Sequence, residues 1–380
     1  MDRRGFVTTG MAAGIAGLGG AGGAVGSLLD NSPLWATGKT LPDGTVKLSS
    51  NENPLGLSPA ARQAVIDAIP GANRYPRDVR TQLMAALSNF IGKPEDYLVL
   101  GAGSTEILQM AIQAYQGPNV PLVIAEPTFE DVPRYQTPFP YNLVRIPLTA
   151  TYEHDIGRMR EAAEAHRRPS IVYFCNPNNP TATITPSREI DAWIADAPES
   201  TMFLMDEAYF EYADSPDYGS ALRWVDSKPN VIVVRTFSKI FGMAGMRLGY
   251  GIAHPDTTAR LREFVMQNNP NVLAAAAGMA SLADEGLMAR SVDVNRQAKE
   301  IVHVTCNELD LEVLPSQTNF LMHEINGDLG TYISRMADAG ILVGRQFPPM
   351  LGYNRLSFGL PDEQDRWAAT LKDFRRKGWV

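Results

Sequence analysis

One lysine in this sequence stands where a charged amine is hard to keep. The segment Thr236-Phe237-Ser238-Lys239-Ile240-Phe241-Gly242-Met243-Ala244-Gly245-Met246-Arg247 follows directly on an apolar, β-rich run and surrounds Lys239 with apolar residues and glycines. An amine so placed has a lowered pKa and can act as a nucleophile or proton carrier. An isolated lysine is more often simply solvated, so the reading needs company, and three other segments supply it. Met205-Asp206-Glu207-Ala208-Tyr209 puts a carboxylate after another apolar run and a phenol three residues on. A desolvated Asp needs a cationic or hydrogen-bonding partner, although a helix N-cap would use the same residue. Cys175-Asn176-Pro177-Asn178-Asn179-Pro180-Thr181 holds asparagines before prolines, which are biased away from helical geometry and project their amides; a plain turn is the simpler alternative. Gly101-Ala102-Gly103-Ser104-Thr105-Glu106 offers free backbone N–H groups and two hydroxyls at a helix start, a natural phosphate cradle. It has neither a dinucleotide fingerprint nor a Walker lysine, and alone it could be a turn without a ligand.

Each segment follows an expected strand, and in open α/β sheets ligands bind beyond the carboxyl ends of strands. The strands are expected at 97–100, 121–124, 170–174, 201–205, 230–235 and 248–252, continuous apolar runs suited to burial on both faces. Helices separate most of them, which predicts an α/β domain with a mainly parallel sheet over residues 71–268. Ser58-Pro59 opens a helix running through Val65 and Ile69, with Ser as N-cap and Pro in the first turn, and a second helix runs from about Asp78 to Phe90. Farther on, helices at 272–285 and 290–309 precede strands near 311–314, 319–323, 341–343 and 355–358 and a terminal helix. This predicts a smaller α+β domain built from residues 31–70 and 269–380.

The 380 residues are 44% hydrophobic and 20% charged, an ordinary globular composition for two or three structural units. A net charge of −8 gives no reason to expect nucleic acid as a partner. Cys175 and Cys306 lie far apart and outside any metal-binding pattern, and the five histidines (His154, His166, His254, His303, His323) lack ligand spacing, so no metal is assigned. A single disulfide remains open. Asp2-Arg3-Arg4-Gly5-Phe6-Val7 followed by a Gly/Ala-rich, weakly apolar run to Leu29 resembles a twin-arginine export signal. Its glycines, at about 1 kcal/mol each in a helix interior, disfavour a membrane-spanning helix. Residues 1–30 therefore read as a signal or N-terminal tail that implies a periplasmic or otherwise exported protein and the twin-arginine translocase as partner; a cytoplasmic protein with an ordinary tail is the alternative.

Taken together, the segments resemble the fold type I pyridoxal-phosphate aminotransferases of class I/II, in their histidinol-phosphate aminotransferase-like branch. The shared motifs are Ser50-Asn51-Glu52-Asn53-Pro54, Arg74-Tyr75-Pro76, Asn178-Asn179-Pro180-Thr181, Asp206-Glu207-Ala208-Tyr209, Ser238-Lys239 with Arg247, and Arg355-Leu356-Ser357-Phe358-Gly359, spread over residues 46–360. The resemblance implies pyridoxal 5'-phosphate as cofactor, amino acid and 2-oxo acid substrates, and a homodimer with shared active sites. It implies that Lys239 holds the cofactor aldehyde as a Schiff base and shuttles the substrate proton, and that Asp206 keeps the pyridine nitrogen protonated. Asn179 and Tyr209 would bond the phenolic oxygen and Phe129 would stack on the ring. Gly103, Ser104, Thr105, Thr236, Ser238 and Arg247 would hold the phosphate, with Tyr75 reaching it from the neighbouring subunit. Arg355 would bind the anionic group of the substrate, with Asn53, Asn319 and Arg345 nearby. Two departures stand out. Ala182 replaces the usual glycine after Asn-Pro-Thr and is expected only to tighten packing. The segment Gly344-Arg345-Gln346-Phe347-Pro348-Pro349-Met350 differs from the pattern near the substrate side chain, and with the export signal this favours an α-amino acid, aromatic or otherwise bulky, as amino donor, with a histidinol-phosphate-like amine as the alternative. A decarboxylase, racemase or carbon–sulfur lyase would begin from the same chemistry; a non-catalytic binding protein would have no need of both Lys239 and Asp206.

Overall fold

The computed structural model describes residues 44–134, 141–165 and 168–380, so the expected export signal and His166 lie outside the described residues. From Val46 to Val380 the chain forms one compact unit. Its strands in chain order are β1 (Val46–Leu48), β2 (Leu98–Gly101), β3 (Pro121–Glu126), β4 (Asn142–Pro147), β5 (Ser170–Cys175), β6 (Thr201–Asp206), β7 (Val231–Thr236), β8 (Gly249–Ala253), β9 (Phe320–Glu324), β10 (Ile341–Val343) and β11 (Tyr353–Ser357). Seven of them make the main sheet in the order β2-β8-β7-β6-β5-β3-β4. Only β8 runs against its neighbours β2 and β7; the other pairs are parallel.

Apolar side chains explain why the sheet is covered on both sides. Val123, Val172, Phe174, Phe203, Met205, Val231 and Val233 enter one core, and their strand neighbours Leu122, Ile124, Ile171, Tyr173, Leu204, Ile232 and Val234 enter another. On the first side Trp193 meets Phe174 and Phe203 edge-on, with ring centroids 5.9 and 5.2 Å away. A third core joins Val46 and Leu48 to Ala298, Val302, Leu321, Leu356, Trp367 and Leu371, where β1 pairs with β10 and β9 with β11.

The expected division into domains needs correcting at two helices. Pro59–Ala68 and Val272–Leu282, both read as parts of the smaller domain, pack against each other, and their Ala61, Ala274, Ala275 and Ala277 lie in the first core of the main sheet. Their amphipathic pattern announced a buried face but not which core would receive it. Ser58 does cap the first helix, its Oγ accepting from Ala61 N–H at 3.2 Å. The second helix spans Arg77–Ile91 and ends on Gly92 in the left-handed region. β4 went unread because it is an edge strand with only Ile146 fully buried, so no continuous apolar run marks it. The strand expected at 311–314 is reduced to one bridge between Val313 and His323. Both cysteines are buried and free, which closes the disulfide option.

Next to the end of β6, Glu207 and Arg235 form a pair that is almost wholly buried, 2.9 Å apart, with their side chains 3% and 6% exposed. Ser220 Oγ and the Ala221 N–H donate to the same carboxylate, and the guanidinium lies 3.9 Å from the centre of the Phe210 ring. Removing one partner of such a pair leaves the other charged and desolvated. Glu207→Ala is expected to lower stability by about 3–5 kcal/mol in urea denaturation. Glu207→Gln/Arg235→Met should recover most of the loss.

Candidate active site

The carboxyl ends of β2, β5, β6 and β7 and the start of β8 meet along one edge of the main sheet, since Gly249 is paired with both Gly101 and Thr236 and Asp206 with Cys175. Asp206 ends β6 with 2% of its surface exposed. Its Oδ2 accepts from the Tyr173 hydroxyl at 2.9 Å and its Oδ1 from the Ala208 N–H at 3.2 Å. Both donors are neutral. Burial outweighs them and pushes the carboxyl up to about 6. Tyr173 lies inside an apolar strand, so sequence gave no signal that its hydroxyl would reach this carboxylate.

Lys239 follows β7 and points its Nζ at the main-chain oxygen of Asn51, 3.0 Å away. Burial first, and then the nearby positive charge of Arg355, bring its amine down to about 8, while Glu52 and Asp206 pull the other way. Asn51 adopts φ +54 and gathers much of the site around itself. Its N–H donates to Ser357 Oγ at 2.8 Å, its Nδ2 to the Tyr209 hydroxyl at 3.2 Å, and its Oδ1 accepts from Ser357 Oγ at 3.0 Å. Asn319 Nδ2 donates to the same main-chain oxygen as Lys239, at 3.0 Å. Neither Asn51 nor Ser357 was assigned a role from sequence. Both lie in recognised motifs, but nothing in residue type distinguished Asn51 from Asn53.

Asn53 is bonded on every side-chain polar atom. Its Nδ2 donates to the Ile240 oxygen and to Ser291 Oγ, both at 2.8 Å, and its Oδ1 accepts from the Leu55 N–H. Its side chain thus fastens residues 53–55 to the segment after Lys239 and to the helix Leu287–Glu308, a positioning role beside the one expected for it. Ala182 departs from expectation. It sits at φ +66, so the methyl that replaces glycine costs backbone strain of about 1 kcal/mol instead of merely filling space.

An anion cradle lies at the start of the helix Ser104–Tyr115. The first N–H groups of that helix have no acceptor within it. Gly103, at φ +79, lets the Arg247 guanidinium come so close that a β-carbon there would lie 2.3 Å from Nη2. Arg247 Nη1 donates to Ser238 Oγ at 3.3 Å, and Thr236 Oγ1 donates to the same hydroxyl at 3.0 Å. Thr105 turns its hydroxyl to Asp131 at 3.1 Å, leaving its backbone N–H for the cradle. Buried Glu106, not singled out from sequence, ties Ala102 N–H at 2.5 Å to Asn269 at 2.9 Å and so braces the loop.

Arg355, on β11, is 8% exposed. It donates from Nη1 to Asn179 Oδ1 and from Nη2 to the Ser49 oxygen, both at 2.8 Å, and its Nε has no partner among the described residues. Burial brings it down to about 10. Phe129 is half-buried against the second core, and Tyr75 is 81% exposed. Arg345 is paired with Glu130, a residue that sequence did not single out.

The chain matches the family Aminotransferase class I and II over residues 43–370. A histidinol-phosphate aminotransferase 1 of Cupriavidus pinatubonensis (strain JMP 134 / LMG 1197) is 35% identical over 334 residues, covering 87% of this chain and 88% of that one. An aromatic amino acid aminotransferase of Thermobifida fusca (strain YX) is 34% identical over 355 residues, covering 92% and 97%. The solved structure of histidinol-phosphate aminotransferase from Sinorhizobium meliloti in complex with pyridoxal-5'-phosphate has a TM-score of 0.82 at 25% identity, covering 90% of this chain and 94% of that one. The residues here fit the same cofactor. Asp206 needs a cation, Lys239 is a desolvated primary amine, and Gly103, Ser104, Ser238 and Arg247 converge as a receptor for an anion.

Two pH effects follow for the cofactor-free protein. Asp206 has a raised carboxyl, so its contribution is fully present below about pH 4 and is lost as pH rises through about 6. Asp206→Asn is therefore expected to stabilise the cofactor-free chain by about 2 kcal/mol at pH 8 and not at pH 4, read from denaturation midpoints, while weakening cofactor binding. Lys239 should react with added aldehyde with a midpoint near pH 8, and Lys239→Ala should abolish both this reaction and the visible absorption of the loaded protein.

Proposed function

Because this chain belongs to the class I and II aminotransferases and works with pyridoxal phosphate, we propose that it takes its amino group from an α-amino acid with a bulky, uncharged side chain and passes it to a 2-oxo acid. The observation that carries the site assignment is the buried pair of opposite needs, an Asp206 without a cation and a Lys239 amine held near neutrality. When bound, pyridoxal phosphate supplies an electron sink for the carbanion formed at the substrate Cα. Asp206 would hold a proton on its ring nitrogen, and Asn179 Nδ2 and the Tyr209 hydroxyl would donate to its phenolic oxygen. Gly103, Ser104, Thr105, Thr236, Ser238 and Arg247 would hold its phosphate, and Phe129 would cover its ring. Arg355 binds the substrate carboxylate, its unpartnered Nε completing the fork. Lys239 Nζ would accept the Cα proton and redeliver it at the other end of the C–N bond, after which water would hydrolyse that bond, releasing the 2-oxo acid and leaving the nitrogen with the cofactor.

The exposed Tyr75 supports a homodimer in which this residue completes the phosphate site of the partner. Arg3-Arg4 and the Gly/Ala-rich run after them support export through the twin-arginine translocase. The substrate class is supported by the aromatic rings of Phe347 and Phe320 beside Arg355, at 4.5 and 5.5 Å from the guanidinium carbon.

The substrate reading is tested by mixing the loaded protein with single amines and following conversion of the cofactor to its amino form. Phenylalanine or tyrosine should convert it at least tenfold faster than histidinol phosphate. A preference for histidinol phosphate would overturn the assignment. Export is checked by cell fractionation, where Arg3→Lys/Arg4→Lys should retain the protein in the cytoplasm; equal distribution of variant and wild type would count against it.

A further inference from the structure

Two guanidinium groups share one aromatic ring at the mouth of the site. Arg355 lies 4.5 Å from the centre of the Phe347 ring and Arg345 lies 4.0 Å from it. Two cations held this close would make a receptor for a doubly charged ligand, with a carboxylate at Arg355 and a second anion at Arg345. The second position is already taken. Arg345 Nη2 donates to Glu130 Oε2 and its Nη1 to the Gln346 oxygen at 2.8 Å. Glu130 is the residue after Phe129, in the loop that leaves β3, so its carboxylate belongs to the same rim as the expected ring-stacking residue. Both side chains are open to solvent, at 31% for Arg345 and 46% for Glu130, so an incoming ligand can meet the pair directly. The positive charge felt by Arg355 from Arg345 is opposed by Glu130.

We propose that Glu130 is a specificity-determining residue: by occupying Arg345 it makes the side-chain end of the pocket neutral and selects against substrates that carry a second anionic group there. A phosphate or carboxylate arriving at Arg345 must displace a carboxylate already bonded to it, or sit beside one of like charge. An uncharged side chain meets neither cost and packs on Phe347. The inference rests on the reading of Arg355 as the carboxylate anchor.

The test is calorimetric binding of two unreactive acids to the cofactor-loaded protein, glutarate as dianion and 3-phenylpropionate as monoanion. Glu130→Gln should improve glutarate relative to 3-phenylpropionate at least tenfold, and Glu130→Asp should stay near the wild-type ratio. In Glu130→Gln/Arg345→Gln the gain should vanish, because the freed guanidinium is its source. A shift below threefold in Glu130→Gln, or one that survives removal of Arg345, overturns the proposal while leaving Arg355 as anchor. If Arg355→Lys leaves the binding of both acids unchanged, or if neither acid binds any form, the anchor reading fails and this inference falls with it.

Discussion

A carboxylate at the bottom of an apolar sheet, bonded only by neutral donors, is the constraint on which the rest of this structure turns. Tyr173 and the Ala208 N–H orient Asp206 but do not neutralise it, and burial raises its carboxyl to about 6, so ionising it costs more in the fold than in water. The folded chain retains this unfavourable arrangement because a cationic ring nitrogen relieves it, so stability is given up in the empty protein in favour of binding. Lys239 is the complementary case, an amine held by a main-chain oxygen and brought down to about 8. The two groups together describe a site tuned for a partner carrying a positive nitrogen, an aldehyde and an anion.

The architecture serves this site by bringing distant parts of the chain to one edge. The parallel strands deliver Cys175, Asp206 and Thr236 at their carboxyl ends, and because the antiparallel β8 starts beside Thr236, the loop that carries Arg247 stays at the same edge. The opposite wall comes from elsewhere. Arg355 and Ser357 on β11 reach Ser49, Asn51 and Asn179, so the strand pairing around the third core places this guanidinium within reach of the second loop. Asn51 is the meeting point, bonded to Lys239, Tyr209, Asn319 and Ser357 at once.

Much of this was legible in the sequence for a definite reason. Doubly covered strands read as unbroken apolar runs, and the polar residues after them stand out because nothing else interrupts the pattern. Lys239, Asp206 and the Gly103 loop were found that way. What escaped were residues whose role depends on a neighbour far along the chain. Tyr173 reads as core until its hydroxyl is seen against Asp206, Glu106 as an ordinary first-turn acid until it is seen bracing Asn269, and Glu130 as a surface charge until it is paired with Arg345. For Asn53 the motif suggested a place near the substrate and was silent about its amide holding the loop after Lys239. The edge strand β4 and the core assignment of the helix Pro59–Ala68 escaped because periodicity reports that a face is buried and is silent about what covers it.

The approach of Gly249 to the cradle has a mechanical consequence. A β-carbon at Gly249 would lie 2.3 Å from the Ser104 nitrogen and 2.5 Å from the Gly103 carbonyl carbon, so strand and loop touch backbone to backbone. Antiparallel pairing of β8 with β2, which sets Gly249 opposite Gly101, clamps the same junction from the side. With no intervening side chain to compress or rotate, the two halves of the phosphate receptor have nothing soft between them. The receptor is thus cast into the sheet itself, and an arriving anion finds its shape waiting instead of having to mould it.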